Sequence, residues 1–315
     1  MLIGGAVAAA SHRFADAQTH TSVWPVRQVR CVVPFAAGGG QDTFWRIIAE
    51  RLSRKFRATF VVENKPGAGG ALGTQEVARA PGEGATFLCT SNGVTVLPNL
   101  YPNLGFDLAP VSLLCDLPGG IMVRRDSRIR DLPDLIARAK AQPGRLTFGS
   151  GGVGTANDLA GALFASMAGI NVLHVPYRGV SVAINALYAR DVDFVFTSTT
   201  ELIPNATQGQ ARILGVTTLE RISALPDAPA IADVVPGFTA INWFAMFAPK
   251  GMPAPLLERL VSELMPLGQD AELSARIAEA GALMRLDGPV PLAARLSKDV
   301  AKWRALIIRE NIRPE

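Results

Sequence analysis

With 315 residues, 49% of them hydrophobic and only 18% charged, the chain can bury a large core and is long enough for two domains. Its formal net charge of +4 is scattered, with no basic run and no interleaved aromatics, which argues against a nucleic-acid surface. No apolar stretch reaches the ~18 residues that a membrane span needs.

The chain begins "MLIGGAVAAASHRFADAQTH". An apolar segment, Leu2 to Ala10, precedes the small residues of Ala15-Asp16-Ala17, as at the end of a secretory signal, although the positive charge that usually opens one is missing. On this reading residues 1–23 are signal and disordered start, cleavage falls near Ala17, and the mature chain works outside the cytoplasm. The alternative is a frayed, Ala-rich tail.

From there strands and helices alternate. Val29 to Val33 reads as a strand that ends in Pro34-Phe35 and the loop "AAGGGQD"; Thr43 to Phe56 reads as a helix with Phe44, Ile47, Ile48 and Leu52 on one face. The strand "TFVVEN", the loop "KPGAGG", the helix "LGTQEVARA" and the strand "ATFLCTS" follow. "APVSLLCDLPGGIMV" then carries the chain into a second set of strands: "GGIMVRR", "RLTFGS", "VLHVPY" and "VDFVFTS". The helices "LPDLIARAKA", "ANDLAGALFASMAG" and "SVAINALYAR" lie between them. "INWFAMFAPKG" reads as a returning strand, and the tail as three amphipathic helices punctuated by proline and Gly281. This pattern predicts two α/β units with strands covered on both faces.

The glycine and polar loops share one position in that pattern. "AAGGGQD" (36–42), "KPGAGG" (65–70) and "TSNG" (90–93) in the first unit, and "GSGGVGTAND" (149–158), "PYRG" (176–179) and "TSTT" (197–200) in the second, all follow strands. In an open sheet ligands lie beyond the carboxyl ends of the strands, where helix N-termini expose amides. Two such edges predict a duplicated anion site. No loop supplies G-x-G-x-x-G or the phosphate-loop pattern, and Phe148 stands where a G-x-S-x-G elbow needs glycine. A small carboxylate held by main-chain amides is the simplest remaining ligand.

An enzyme would have to be built on Ser150 with His174, loop amides forming the oxyanion site. His174 lies in an apolar strand, where a histidine with a satisfied hydrogen bond is the commoner reading. Cys31, Cys89 and Cys115 also sit in apolar segments, read as small buried hydrophobes, and no CxxC suggests a structural zinc site.

In this order, "VVPFAAGGGQD", "VVENKPGAGGALG", "APVSLL", "LTFGSGGVGTANDLAGALF", "VPYRG", "ALPDAPAIADVVPGF" and "NWFAMFAPKGMPAP" resemble the motif series of the Bug family. These are extracytoplasmic solute-binding receptors of tripartite tricarboxylate transporters. The resemblance runs from Trp24 onward and implies a two-lobed periplasmic-binding-protein fold of type II, α/β in class. Two parallel or mixed sheets carry helices on both faces, with crossover strands at the hinge. It divides the chain into a first lobe of 24–117 plus 243–315 and a second of 118–242. It further implies a periplasmic monomer that catches a small organic acid between its lobes. The acid passes to a membrane permease of two subunits, or to a sensor, without catalysis, cofactor or metal.

Carried over residue by residue, the resemblance places first-lobe contacts at Phe35, Ala37, Gly38, Gly39, Asp42 and Ser91. Those of the second lobe are Ser150, Gly152, Gly154, Thr155, Tyr177 and Thr197. Asp42 also reads as N-cap of a helix starting at Thr43, and Arg178 as a solvated arginine or a charge partner for the ligand. The chain departs from the family pattern at Trp45, where a small residue is usual, and at Thr197, where an acid often follows the strand. A third departure is Asp158, where histidine is common. Asp158 either faces the ligand or, at the end of "TAND", closes a capping box with Thr155.

Overall fold

The computed structural model describes residues 24–279 and 281–313; the expected signal and cleavage site near Ala17 lie outside them. The first lobe is laid down by β1 (Gln28–Val33), α1 (Gly40–Phe56), β2 (Thr59–Asn64), α2 (Ala71–Ala78) and β3 (Thr86–Ser91). β1 pairs in parallel with β2 and with β3. Successive strand side chains face opposite ways. Val29, Cys31 and Val33 therefore join one cluster with Phe44, Trp45, Ile48 and Leu52 of α1, while Val32 joins another with Ala71 and Val77 of α2. A strand covered on both faces has to be apolar, as Cys31–Val33 are; Arg30, nearer the start of β1, is half-buried and pairs with Glu63 and Glu76.

After a short helix α3 (Leu97–Leu100), β4 (Leu108–Leu117) runs through Pro118 into β5 (Gly119–Arg124) and so into the second lobe. There follow α4 (Leu132–Ala141), β6 (Thr147–Ser150), α5 (Ala156–Ala168), β7 (Leu173–Pro176), α6 (Val180–Ala189), β8 (Phe194–Ser198), α7 (Thr199–Thr207) and β9 (Ala211–Val216). The core here is aromatic. Phe148, Phe164, Phe194 and Phe196 pack on one another, and Phe164 on Phe238, at ring separations of 5.8–6.4 Å. Truncating a residue such as Phe194 to alanine would cost about 3–5 kcal/mol.

β10 (Asn242–Pro249) returns to the first lobe and pairs antiparallel with β4 and β3. The tail comprises α8 (Ala254–Leu264), α9 (Ala271–Glu279), β11 (Leu283–Asp287) and α10 (Pro289–Arg309). The two sheets are ordered β11-β4-β10-β3-β1-β2 and β7-β6-β8-β5-β9, and each mixes parallel and antiparallel pairs. β9 and β11 are additions to the sequence reading, in which the whole tail is helical. Both lie at the edge of a sheet, where a single covered flank weakens the apolar pattern.

The two crossings are tied together. Gly119 N–H donates to Thr217 Oγ1 at 2.9 Å, and Thr217 N–H donates to Gly119 O at 2.8 Å. α10 forms a third link, with Leu292 in a first-lobe cluster and Trp303, Leu306 and Ile307 in the second-lobe core. Cys31, Cys89 and Cys115 are free and buried, and burial pushes the Cys89 and Cys115 thiols up. Among the described residues no helix is long and apolar enough to cross a membrane, and no cluster of ligating side chains could hold a metal ion.

Candidate ligand-binding site

The loop after β1 is shaped by one acid. α1 begins at Gly40, not at Thr43, and its N-cap is Gly39. Asp42 is thus the third helical residue, and the expected N-cap role is corrected accordingly. Its Oδ2 accepts the Gly38 N–H at 3.0 Å, with Gly38 in the left-handed region at φ +82°. Arg46 pairs with Oδ1 at 2.9 Å. Burial opposes the charge on Asp42, but Arg46, the Gly38 amide and Asn64 together hold its pKa below the ordinary carboxylate value. Asn64 Nδ2 also donates to Phe35 O at 3.0 Å, pinning the loop to β2.

The second lobe repeats the device. Thr155 is the N-cap of α5, donating its hydroxyl to Gly152 O at 2.7 Å, and Asp158 is the third helical residue. Asp158 Oδ2 accepts the Gly154 N–H at 2.9 Å, and Gly154 has φ +78°. Its Oδ1 lies 3.3 Å from His174 Nδ1, and Asp158 is only 3% exposed. Asp158 N–H donates to Thr155 Oγ1 at 3.5 Å, one half of the expected capping box; the carboxylate goes to Gly154 and His174, and the Thr155 N–H goes to Gly152 O.

β6 and β7 pair in parallel with Phe148 opposite His174, so Ser150 falls on the same face two residues on. Ser150 Oγ lies 2.6 Å from His174 Nε2. Ser150, His174 and Asp158 therefore make a hydrogen-bonded chain of triad composition. Triad chemistry needs a nucleophile open to a carbonyl carbon, with oxyanion donors beyond it. Here Ser150 is fully buried, and its Oγ already accepts the Gly152 N–H at 3.1 Å. The chain of bonds fastens the loop to β6 and β7.

Across the cleft the two lobes meet through glycine. A Cβ at Gly69 would sit 3.0 Å from Val153 O, one at Gly93 3.7 Å from Gly154 O, and one at Gly154 2.6 Å from the Leu100 side chain. A Cβ at Gly40 would lie 3.3 Å from both Glu201 Oε1 and Thr200 Oγ1. A small cavity of about 20 Å³ with mixed polar and apolar walls, among them Asn157, Phe196, Thr197, Thr217 and Asn242, lies beside the crossing at Gly119.

Of the expected contacts, Gly38, Gly39, Ser91, Gly152, Gly154, Thr155 and Thr197 thus belong to loops or strand ends that converge from the two lobes. Ala37 and Arg178 are exposed, and Phe35 and Tyr177 are half-buried, the Tyr177 N–H donating to Ser150 O at 3.1 Å. Burial, with the Asp191 charge behind it, raises the Tyr177 pKa. Trp45 is buried beneath α1, edge-on to Phe44 at 5.5 Å, and faces the core. Sequence reasoning held Gly40, Ser198 and Thr200 only as parts of the loops 36–42 and 197–200, not as single contacts, and passed over Glu201; the run "TSTTE", four hydroxyls and an acid, was the available signal.

The sequence profile described as "Tripartite tricarboxylate transporter family receptor" matches residues 44–307. A Pseudomonas sp. protein described as "UPF0065 protein in tcbD-tcbE intergenic region" is 38% identical over 295 residues, covering 92% of this chain and 88% of its own. Among solved structures, the periplasmic binding protein BugD superposes with a TM-score of 0.84 at 33% identity, covering 92% of this chain and 99% of the other. A Rhodopseudomonas palustris protein solved with adipate gives 0.86 at 29% identity, covering 93% and 100%. MatC from the same species, solved with malate, gives 0.83 at 27% identity, covering 90% and 99%. The chain belongs to the family of tripartite tricarboxylate transporter receptors, the Bug-type solute-binding proteins.

Proposed function

We propose that the chain captures a small organic carboxylate between its lobes in the periplasm and delivers it to a tripartite-type membrane permease. The observation that carries this is the repeated loop: in each lobe a glycine run ends at a helix N-terminus, and a buried acid at the third helical position fixes the glycine backbone. First-turn amides have no partners within a helix, so α1 and α5 offer two sets of donors from opposite walls. A carboxylate suits such donors. Relatives solved with adipate and malate agree with that chemistry.

On this reading Gly39, Ser91, Gly152, Thr155, Tyr177 and Thr197 lie nearest the ligand, with Phe35 and Ala37 at the mouth. Asp42, Ser150 and Asp158 hold the loops in shape, together with Gly38 and Gly154. Gly69 and Gly154 lie close against Val153 and Leu100 of the opposite lobe, and on this reading the acid enters as the lobes part about the β4–β5 and β9–β10 crossings. The mature chain starts near Gln18 after export.

A thermal-shift screen of mono-, di- and tricarboxylates on the mature chain tests the reading. At a hundredfold the dissociation constant, a bound acid should add ~2.7 kcal/mol, which is several degrees for a chain of this size. A panel that leaves the melting curve unmoved would contradict it. Hydrolysis at Ser150 is the weaker reading, since the hydroxyl is buried and already bonded.

A further inference from the structure

A third helix in the cleft starts like α1 and α5 but places its acid differently. Ser198 is the N-cap of α7 and Glu201 its third helical residue, the position held by Asp42 in α1 and Asp158 in α5. Those two acids turn back onto a glycine N–H of their own loop. Glu201 instead faces hydroxyls with one oxygen: Oε2 lies 3.0 Å from Thr197 Oγ1, 2.5 Å from Ser198 Oγ and 2.6 Å from Thr200 Oγ1, and the last two hydroxyls, 2.7 Å apart, also bond each other. Three short side chains thereby fix the carboxylate, and the other oxygen points at the opposite lobe. Oε1 lies 3.3 Å from the position of a Gly40 Cβ, at the first residue of α1.

The backbone beneath Glu201 is held as firmly. Thr199 donates its N–H to Pro118 O at 2.9 Å and its hydroxyl to Gly281 O at 2.5 Å. Glu201 is half-buried, so its charge acts in a partly desolvated cleft, where like charges repel more strongly than in water. Thr197, at the end of β8, donates to this acid one helical turn further on.

We propose that Glu201 sets the ligand specificity of the cleft. This rests on the reading that a carboxylate binds between the lobes. Glu201 favours an acid whose far end, beside α1, is an ammonium or an uncharged donor, and rejects one whose far end is a second carboxylate. The ligand's own carboxylate then sits at the amides of α5, away from Glu201; the α1 amides, which by themselves would also take a carboxylate, are opposed by the Glu201 oxygen beside Gly40. The implied class is amino acids and hydroxy or amide monocarboxylates.

The test uses matched series of four, five and six carbons: the dicarboxylates succinate, glutarate and adipate, the corresponding ω-amino acids, and the corresponding monocarboxylates. Calorimetric titrations compare wild type with Glu201→Gln and with the charge-conserving Glu201→Asp, each checked for a cooperative melt. The proposal expects wild type and Glu201→Asp to prefer the ω-amino acid or monocarboxylate at the best-fitting length. Glu201→Gln should move the ratio at least tenfold toward the dicarboxylate. Binding of all three classes with the same ratio in wild type and Glu201→Gln overturns the proposal and leaves the carboxylate receptor standing. If neither these probes nor a wider panel of organic acids binds any of the three proteins, both readings fall.

Discussion

Asp158 accepts the backbone N–H of Gly154, four residues before it, at 2.9 Å. The bond holds a left-handed glycine at the end of the loop that leads into α5, and Asp42 makes the counterpart to Gly38 at 3.0 Å in the other lobe. Both acids act through the backbone. Asp158→Ala would leave the Gly154 amide and His174 without this partner, at a cost of about 1–3 kcal/mol. Urea denaturation should show a lower midpoint with an unchanged m-value, and ligand affinity should fall as the loop loosens. A variant of wild-type stability and affinity would mean that Asp158 shapes nothing.

The glycines should separate by geometry. Gly154 has φ +78°, and a Cβ there would lie 2.6 Å from the Leu100 side chain of the other lobe, so Gly154→Ala should impair both the loop and lobe closure. Gly39 has φ −81°, and a Cβ there would meet only Ala36 O at 3.8 Å. Gly39→Ala should therefore keep stability within about 1 kcal/mol, since the residue is outside the helix interior. A ligand approaching the amide closely should still be blocked by the bulkier Gly39→Val. Arg178→Ala should weaken binding only modestly. A large loss from the arginine change, with the glycine variants intact, would move recognition to side-chain charge.

Much of this was legible in the sequence because period and punctuation agreed. The alternation of Val29, Cys31 and Val33 against Val32 gave β1, and the spacing of Phe44, Ile48 and Leu52 gave α1. The start of α1 was misplaced because glycine has poor helix propensity, and the run Gly38-Gly39-Gly40 hid a helix that Asp42 fixes from within. The pair His174 and Asp158 was not visible, since one lies on β7 and the other in the first turn of α5, and only tertiary packing brings them to 3.3 Å. Glu201 stayed hidden for a similar reason: its oxygen faces Gly40, which is distant in the chain and in the other lobe.

Acid should erode the first-lobe loop by a known sign. The Asp42 pKa is held below its ordinary 3.8 by Arg46, the Gly38 amide and Asn64 against the opposing effect of burial. A carboxyl with a lower pKa in the folded state stabilises the fold above its unfolded pKa, and that contribution is lost as pH falls through the folded value. Melting of wild type and Asp42→Asn should therefore differ most at neutral pH, and the gap should narrow below about pH 4. A gap that widens with acid would show that the ionised carboxylate is not the stabilising form.

Ser150 should behave as a fastening group. Ser150→Ala removes the bonds to His174 and to Gly152 N–H, with an expected loss of about 0.5–1.5 kcal/mol for each net bond. Neither wild type nor variant should hydrolyse ester or phosphate probes. Turnover by wild type that Ser150→Ala abolishes would restore the hydrolase reading.

The most direct measurement is a calorimetric titration with whichever organic acid most raises the melting temperature, performed on wild type and on a Gly154→Val variant that still melts cooperatively. One site per wild-type chain and no detectable heat of binding in the variant is the predicted result, because the introduced isopropyl group would occupy the cleft between the lobes. Equal affinity in the two proteins would place the acid elsewhere and contradict binding between the lobes.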